Sequence, residues 1–589
     1  MKTRTLKNVL MLAAALTMGS SLAAPFVYPA KWSADPASAA KKGGDYRDSS
    51  ISDYKTINPF TSAEAQSIPN YWMSLGAGLF TQDQTNDSFI PDMAEAMPEI
   101  SNNGKRFVVK IRQGMKFSDG QPITADDWVT TYKIHTDDKV GSNSHDGFFI
   151  NDKPITVKKI NTYTLQFDFP QTSANAYLTM SYTPWPDHVF GKAYTAGGAE
   201  AVKKLWGLNV NPSEVVTAGA FVLQSYSAGQ RAVLKRNTYF GEWNKDSAGA
   251  ALPYLDTVTL KIVKDQNAAL ASYLAGELDV YGARNADDLA QIKKAIDAKT
   301  LNATEIANVS PAASSQWITF NWNKADSPFK QKLFRDVRFR HAMSMLANRD
   351  AMVQLALGGL GVPTYYSVYP VFKNYISDSA PKYPYNLDGA AKLLAQMGFT
   401  KKGSDGILVN AQGQKLEFTL ATNSGNTTRA QLGQIFTDEA KKIGVKVNFT
   451  PIDFNVLVGQ LTAKGENRPF DAILLGLANG GNIWPFGDNV VPCGTNLHSY
   501  NNPTSGKCAT SQEQLMTKLF YQGQSTVDQA ARRAVGIQLL KTEAELQPVI
   551  FLVGGAYHVN YNNRLGGQFP RDQMDSYYLS RNPVTTYIK

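Results

Sequence analysis

Between residues 105 and 112 apolar and mostly polar positions alternate, with Phe107, Val109 and Ile111 on one side, the period of a strand with one buried face. Turn residues follow at Gln113-Gly114 and Ser118-Asp119-Gly120, and Thr124 with Asp127 three positions on reads as a capping box opening a helix through Trp128 and Tyr132. The alternation returns at Val258, Leu260 and Ile262. Asp265 then caps a helix through Leu270 and Leu274, and Gly276 ends it before Leu278-Asp279-Val280, a β-α-β unit. A second unit comprises a strand at 416–420, a helix at 427–443 stopped by Gly444, and a strand at 445–449. A helical stretch from about Asp453 precedes a further strand at 470–477.

Strands separated by helices of this length favour parallel pairing through right-handed crossovers, so the region after about residue 310 reads as an open α/β sheet. Such sheets bind ligands beyond the carboxyl ends of their strands. Two loops become candidates on that ground: ATNSGNTT at 421–428, with Asn423 and Asn426, and ANGGNIWPFG at 478–487, with Asn479, Gly480, Gly481, Asn482 and Trp484. Ordinary solvent turns are the alternative. A large aromatic flanked by Gly and Asn favours stacking for the second loop.

Composition narrows the class. The chain has 589 residues, 43% of them hydrophobic, which is too long for one core and too apolar for disorder. Its formal charge of +9 is spread without any Lys/Arg block, so it lacks the footprint of a nucleic-acid binder. Lys2, Arg4 and Lys7 precede an apolar run from Val9 to Met18, then Ser21-Leu22-Ala23: a secretory signal peptide cut after Ala23, leaving a mature charge of about +6. The apolar run is too short for a membrane anchor. No Cys follows the cut, so lipid anchoring there is not expected, and the product belongs in the periplasm or outside the cell. In an oxidising compartment Cys493 and Cys508 are expected to form a disulfide, two free thiols being the alternative.

Motifs for chemistry are missing: no GxSxG elbow, no HExxH, no Walker loop and no GxGxxG turn. The histidines at 135, 145, 188, 341, 498 and 558 are never paired at metal-ligand spacing. No catalytic residue, metal site or cofactor is expected, and binding is the default function.

Several blocks resemble one family. RFVVKIRQGMKFSDGQPITADDWVTTYK (106–133), TAGAFVLQSYSAGQRAVLKRNTYF (217–240), LDTVTLKIVKDQNAALASYLAGELDV (255–280), FRDVRFRHAMSMLANRDAMV (334–353) and PYNLDGAAKLLAQMGF (384–399) occur in the order of the family 5 solute-binding proteins, the oligopeptide, dipeptide and nickel class serving ABC importers. Ala220 and Phe221 replace that family's usual Pro and Tyr. The resemblance implies an α/β, two-lobed periplasmic binding protein fold (type II, cluster C) with an extra inserted domain. Lobe I would hold residues 24–75, 201–310 and 549–589, the insert 76–200, and the other lobe 311–548, with hinge crossings near 310 and 548. It also implies a monomer that closes on a peptide and presents it to an ABC permease in the cytoplasmic membrane.

Peptide binders of this family anchor the ligand's amine with an aspartate where this chain has Gly480. Either Asp488 reaches in from farther along the loop, or the ligand has no free amine there. An oligosaccharide ligand is the alternative, given the Asn-rich loops. A secreted glycoside hydrolase is a reading of a different class, but it needs two carboxyl groups flanking a cleft and the loops offer only Asp488. Metal or haem capture, as in the nickel-binding relatives, would require a cleft histidine, with His498 the candidate.

Overall fold

The computed structural model describes residues 24–62, 68–83, 86, 88–478, 483–574 and 583–589. The expected signal peptide, and Asn479, Gly480, Gly481 and Asn482 among the candidate binding residues, lie outside the described residues.

Three sheets organise the chain. In the first, Phe221–Ser227, Arg231–Arg236 and Thr257–Ile262 run antiparallel in that order, and Asp45–Ser50 joins Thr257–Ile262 in parallel. The second is antiparallel, in the order Glu99–Ser101, Arg106–Lys110, Thr164–Asp168, Thr156–Asn161. Beside it lies the helix Ala125–His135, opened by the Thr124/Asp127 capping box that the sequence announces. These two sheets share one continuous core, which runs from Val109 and Trp128 to Leu234 and Leu260 and is joined by Phe569 and Tyr587 near the C-terminus.

Asp279 ties the distant segments of this lobe together. Its buried carboxylate accepts from Arg47 at 2.9 Å and from Arg564 at 2.7 Å. Burial opposes the charge, but the hydrogen bonds from Arg564 and Arg47 prevail and hold the carboxyl below its usual range.

The third sheet has its own core and the order Lys446–Ile452, Glu417–Asn423, Ala472–Ala478, Ser314–Phe320, Val549–Phe551. The first three strands are parallel, as the β-α-β pattern requires, with the helix Thr427–Lys442 between the first pair. Ser314–Phe320 is antiparallel to both its neighbours, so the sheet is mixed. The apolar run after Pro548, expected to begin the return to the first lobe, instead contributes this sheet's edge: Val549 pairs with Thr319 and Phe551 with Trp317. Later in the chain Tyr557–Asn562 pairs antiparallel with Ala303–Ser310.

Cys493 and Cys508 are joined by a disulfide. Closing a loop of this length stabilises the fold by roughly 3 kcal/mol in the chain-entropy model.

Candidate ligand site between the lobes

The lobes are drawn together along one seam. Gly425, in the loop after Glu417–Asn423, accepts a hydrogen bond from Gln266 N at 3.3 Å, and Arg284 Nη1 donates to Thr427 Oγ1 at 2.6 Å. Gly425 has φ of +77° and faces the Lys264 carbonyl so closely that a β-carbon has no room. Farther along, Lys55 Nζ reaches the Asn455 carbonyl at 3.3 Å.

Behind this seam lies an apolar cavity of about 250 Å³. Its floor is the third sheet, through Trp317, Leu475, Leu477 and Phe551, with Phe454 and Leu461 from the helix Phe454–Thr462 on one side. Ile51 of the first lobe completes the wall. The cavity is therefore built by both lobes and sits at the carboxyl ends of the parallel strands.

Two features break its apolar lining. The first is a strand edge. Ala472–Ala478 is paired along its whole length with Ser314–Phe320, but on its other side the ladder to Glu417–Asn423 covers only Leu420↔Ala472 and Ala421↔Ile473. From Leu475 to Leu477 that second edge is unpaired among the described residues and lines the cavity.

The second feature is Arg429. Its backbone N–H donates to Asn426 Oδ1 at 2.9 Å, placing it at the third position of the helix Thr427–Lys442, capped by Asn426. Its guanidinium donates to Gln316 Oε1 at 2.8 Å and to Asn423 Oδ1 at 2.6 Å. Among the described residues no carboxylate pairs with it, and burial lowers its pKa to about 10. Gly476 admits this arrangement, since a β-carbon there would stand 2.8 Å from Arg429 Nη2.

The residues expected at the site divide among different places. Asn423 is buried and holds Arg429. Asn426 caps its helix and lines a separate cavity of about 360 Å³ with Gln266, Arg284 and Tyr557. Trp484 and Asp488 border a third cavity, of about 500 Å³, that Tyr182 and Thr183 also line.

Trp484 does not present a stacking face. It is 2% exposed, 4.7 Å from the Phe486 ring, and lies against Gly523, where a β-carbon would overlap the indole. The aromatic flanked by small residues is there to be packed, a slot in the helix Ser511–Ser525 receiving it. Asp488 is partly buried, and desolvation with the nearby Asp146 pushes its carboxyl up to about 6. His498 is fully buried, Nδ1 against the Val490 carbonyl at 2.9 Å and Nε2 against Glu513 at 3.2 Å, so it lines no cleft.

Sequence reasoning missed Arg429, Gln316 and the open edge. A signal for Arg429 existed: a cation in the first turn of a helix opposes the helix dipole, and such a placement calls for another reason.

Comparison with known proteins agrees with this architecture. Residues 88–491 match the family described as bacterial extracellular solute-binding proteins, family 5 Middle. The chain belongs to that family. It is 46% identical to a probable ABC transporter-binding protein of Deinococcus radiodurans, over 99% of this chain and 100% of the other. The oligopeptide-binding protein AppA of Bacillus subtilis is 26% identical, over 92% of each chain. The AppA structure, in complex with a nonapeptide, superposes with a TM-score of 0.75 over 93% of this chain and 100% of that one. MelB of Agrobacterium fabrum C58, in complex with stachyose, is 20% identical and superposes with a TM-score of 0.80 over 96% of this chain and 87% of that one, a likeness of fold. The two-lobed α/β fold and the solute-binding role in an ABC transporter follow. The family is one of binding proteins. Among the described residues no helix is long and apolar enough to cross a membrane.

Proposed function

We propose that this chain is exported, captures short peptides between its lobes as a monomer, and delivers them unaltered to an ABC permease. The observation that carries the peptide reading is the unpaired edge of Leu475–Leu477 inside an apolar cavity. An extended peptide adds to such an edge through main-chain hydrogen bonds while its side chains enter tolerant pockets. A sugar offers no strand to pair, and its hydroxyls lose their water without partners in an apolar lining. The peptide-bound AppA relative points the same way.

Capture is a population shift. A ligand that touches both Ile51 and the third sheet gains its full contacts only when the lobes are together, so it favours the closed form, which a permease can distinguish from the open one. No bond to the ligand need be made or broken.

Isothermal titration with tri-leucine and with stachyose tests the reading. The expected result is one peptide bound per chain and recovered intact. Stachyose binding with no peptide binding would transfer the function to the polar cavity beside Asp488, and a hydrolysed ligand would replace binding with catalysis.

A further inference from the structure

We propose that the disulfide-closed loop of the second lobe conceals a zinc site, in which Cys493, Cys508, His498 and Glu513 hold one Zn²⁺ once the disulfide is reduced. The proposal is independent of which solute the lobes capture.

Among the described residues, Cys493, His498 and Glu513 bring one ligand atom each within 4.8 Å of one another. The tautomer of His498 follows from its partners. Nδ1 lies 2.9 Å from the Val490 carbonyl, which can only accept, so Nδ1 carries the hydrogen. Nε2 then turns its lone pair towards Glu513 Oε1, 3.2 Å away, and neither side chain has any exposed surface. Two electron-rich atoms this close and out of reach of solvent require a cation between them, a proton or a metal ion. With the disulfide in place that cation is a proton.

The surroundings are those of a metal site. A metal-binding histidine donates its other ring N–H to a carbonyl or carboxylate, and a ligating carboxylate is itself hydrogen-bonded. Here Nδ1 serves Val490, while Glu513 Oε2 accepts from the backbone N–H groups of Ala509 and Thr510, each at 2.8 Å, leaving Oε1 to His498 and to Asn501 Nδ2 at 2.9 Å. Tetrahedral zinc, with bonds of about 2.0–2.1 Å to nitrogen and oxygen, sets two such ligands about 3.3 Å apart, close to the 3.2 Å found. The donor set names the metal: two thiolates, an imidazole and a carboxylate suit four-coordinate Zn²⁺, whereas Mg²⁺ and Ca²⁺ take oxygen ligands.

Cys493 and Cys508 are bonded to each other, so reduction must come first. Both are only partly buried and within reach of a reductant. A dithiol supplies two electrons and two protons, cleaves the S–S bond and leaves as its own disulfide. Zinc then displaces both thiol protons and the proton between His498 and Glu513. The loop so held bears on capture: Asn496 donates from its backbone to Asp146 at 3.0 Å and from Nδ2 to Asn143 at 2.6 Å, and Leu497 and Ser499 line the apolar cavity. Zinc keeps this loop closed when the disulfide is lost.

Native mass spectrometry with added zinc tests the assignment on the purified chain, oxidised and after reduction by dithiothreitol that is then removed under nitrogen. One zinc is expected on the reduced chain and none on the oxidised chain. Cobalt(II) in place of zinc should give thiolate-to-metal absorption in the reduced chain alone. In competition with a chelator, His498→Gln should weaken zinc binding by the reduced chain at least about tenfold, and Cys493→Ser with Cys508→Ser should abolish it. Circular dichroism of every sample reads the fold, and the comparison of oxidised with reduced wild type stands even if the variants do not fold. The assignment is overturned by a folded reduced chain without zinc, by zinc on the oxidised chain, by loss of the fold on reduction with zinc present, or by undiminished affinity in His498→Gln.

Discussion

Trp484 and Gly523 fit as plug and slot: the indole occupies the space that a side chain at 523 would need. Phe486 at 4.7 Å and Phe520 and Tyr375 at 6.1 Å complete the ring's surroundings. Trp484, from the loop that the sequence marks for binding, thereby belongs to the core of the second lobe.

Replacing Trp484 by Ala should therefore act on stability, lowering it by about 3–5 kcal/mol as for other buried aromatics. Denaturant unfolding of the unliganded chain measures this. An unchanged unfolding curve together with lost peptide binding would return Trp484 to the role of a ligand platform.

Asp488 gives the fold a pH dependence of defined sign. Its carboxyl is pushed up to about 6, chiefly by burial and then by Asp146, against about 4 in the unfolded chain. As pH rises from 4 to 6 the unfolded state gives up this proton first, so the contribution of Asp488 to stability falls through that window and stays lost above it. Asp488→Asn should raise stability at pH 7.5 by about 1–2 kcal/mol, allowing for partial solvent screening, and change little at pH 4. Thermal unfolding at the two pH values reads the difference. An equal gain at both would mean that charge is not the cause.

The lobes meet where Gly425 approaches the Lys264 carbonyl. A side chain at 425 meets the Lys264 carbonyl and must also take up a left-handed φ of +77°. Gly425→Val should hold the lobes apart, weakening peptide binding by about tenfold for each 1.4 kcal/mol of closing free energy lost. Small-angle scattering should show the unliganded variant more extended than the wild type. An unchanged scattering profile with unchanged affinity would show that this contact does not govern closure.

Much of the local structure was legible because it is locally determined. The Thr124/Asp127 capping box, the Asp265 cap and the helix after Asn426 each depend on residues within one turn of each other. What could not be read depends on partners far away in the chain. The run from Val549 to Phe551 reads as a strand, but its place beside Trp317–Thr319 is fixed by a pairing across more than two hundred residues. Asn423 and Asn426 look like ligand contacts because their amides carry no signal of whether they face solvent or serve Arg429 and a helix end. Trp484 misled for the same reason, since the slot at Gly523 is invisible from the loop itself.

Native mass spectrometry of the chain purified from the exporting cell tests the central claim most directly, because a solute trapped between closed lobes travels with the protein. The account predicts an added mass that releases as a peptide, one per chain. Release of a hexose oligomer, or of a ligand chemically altered by the protein, would contradict it.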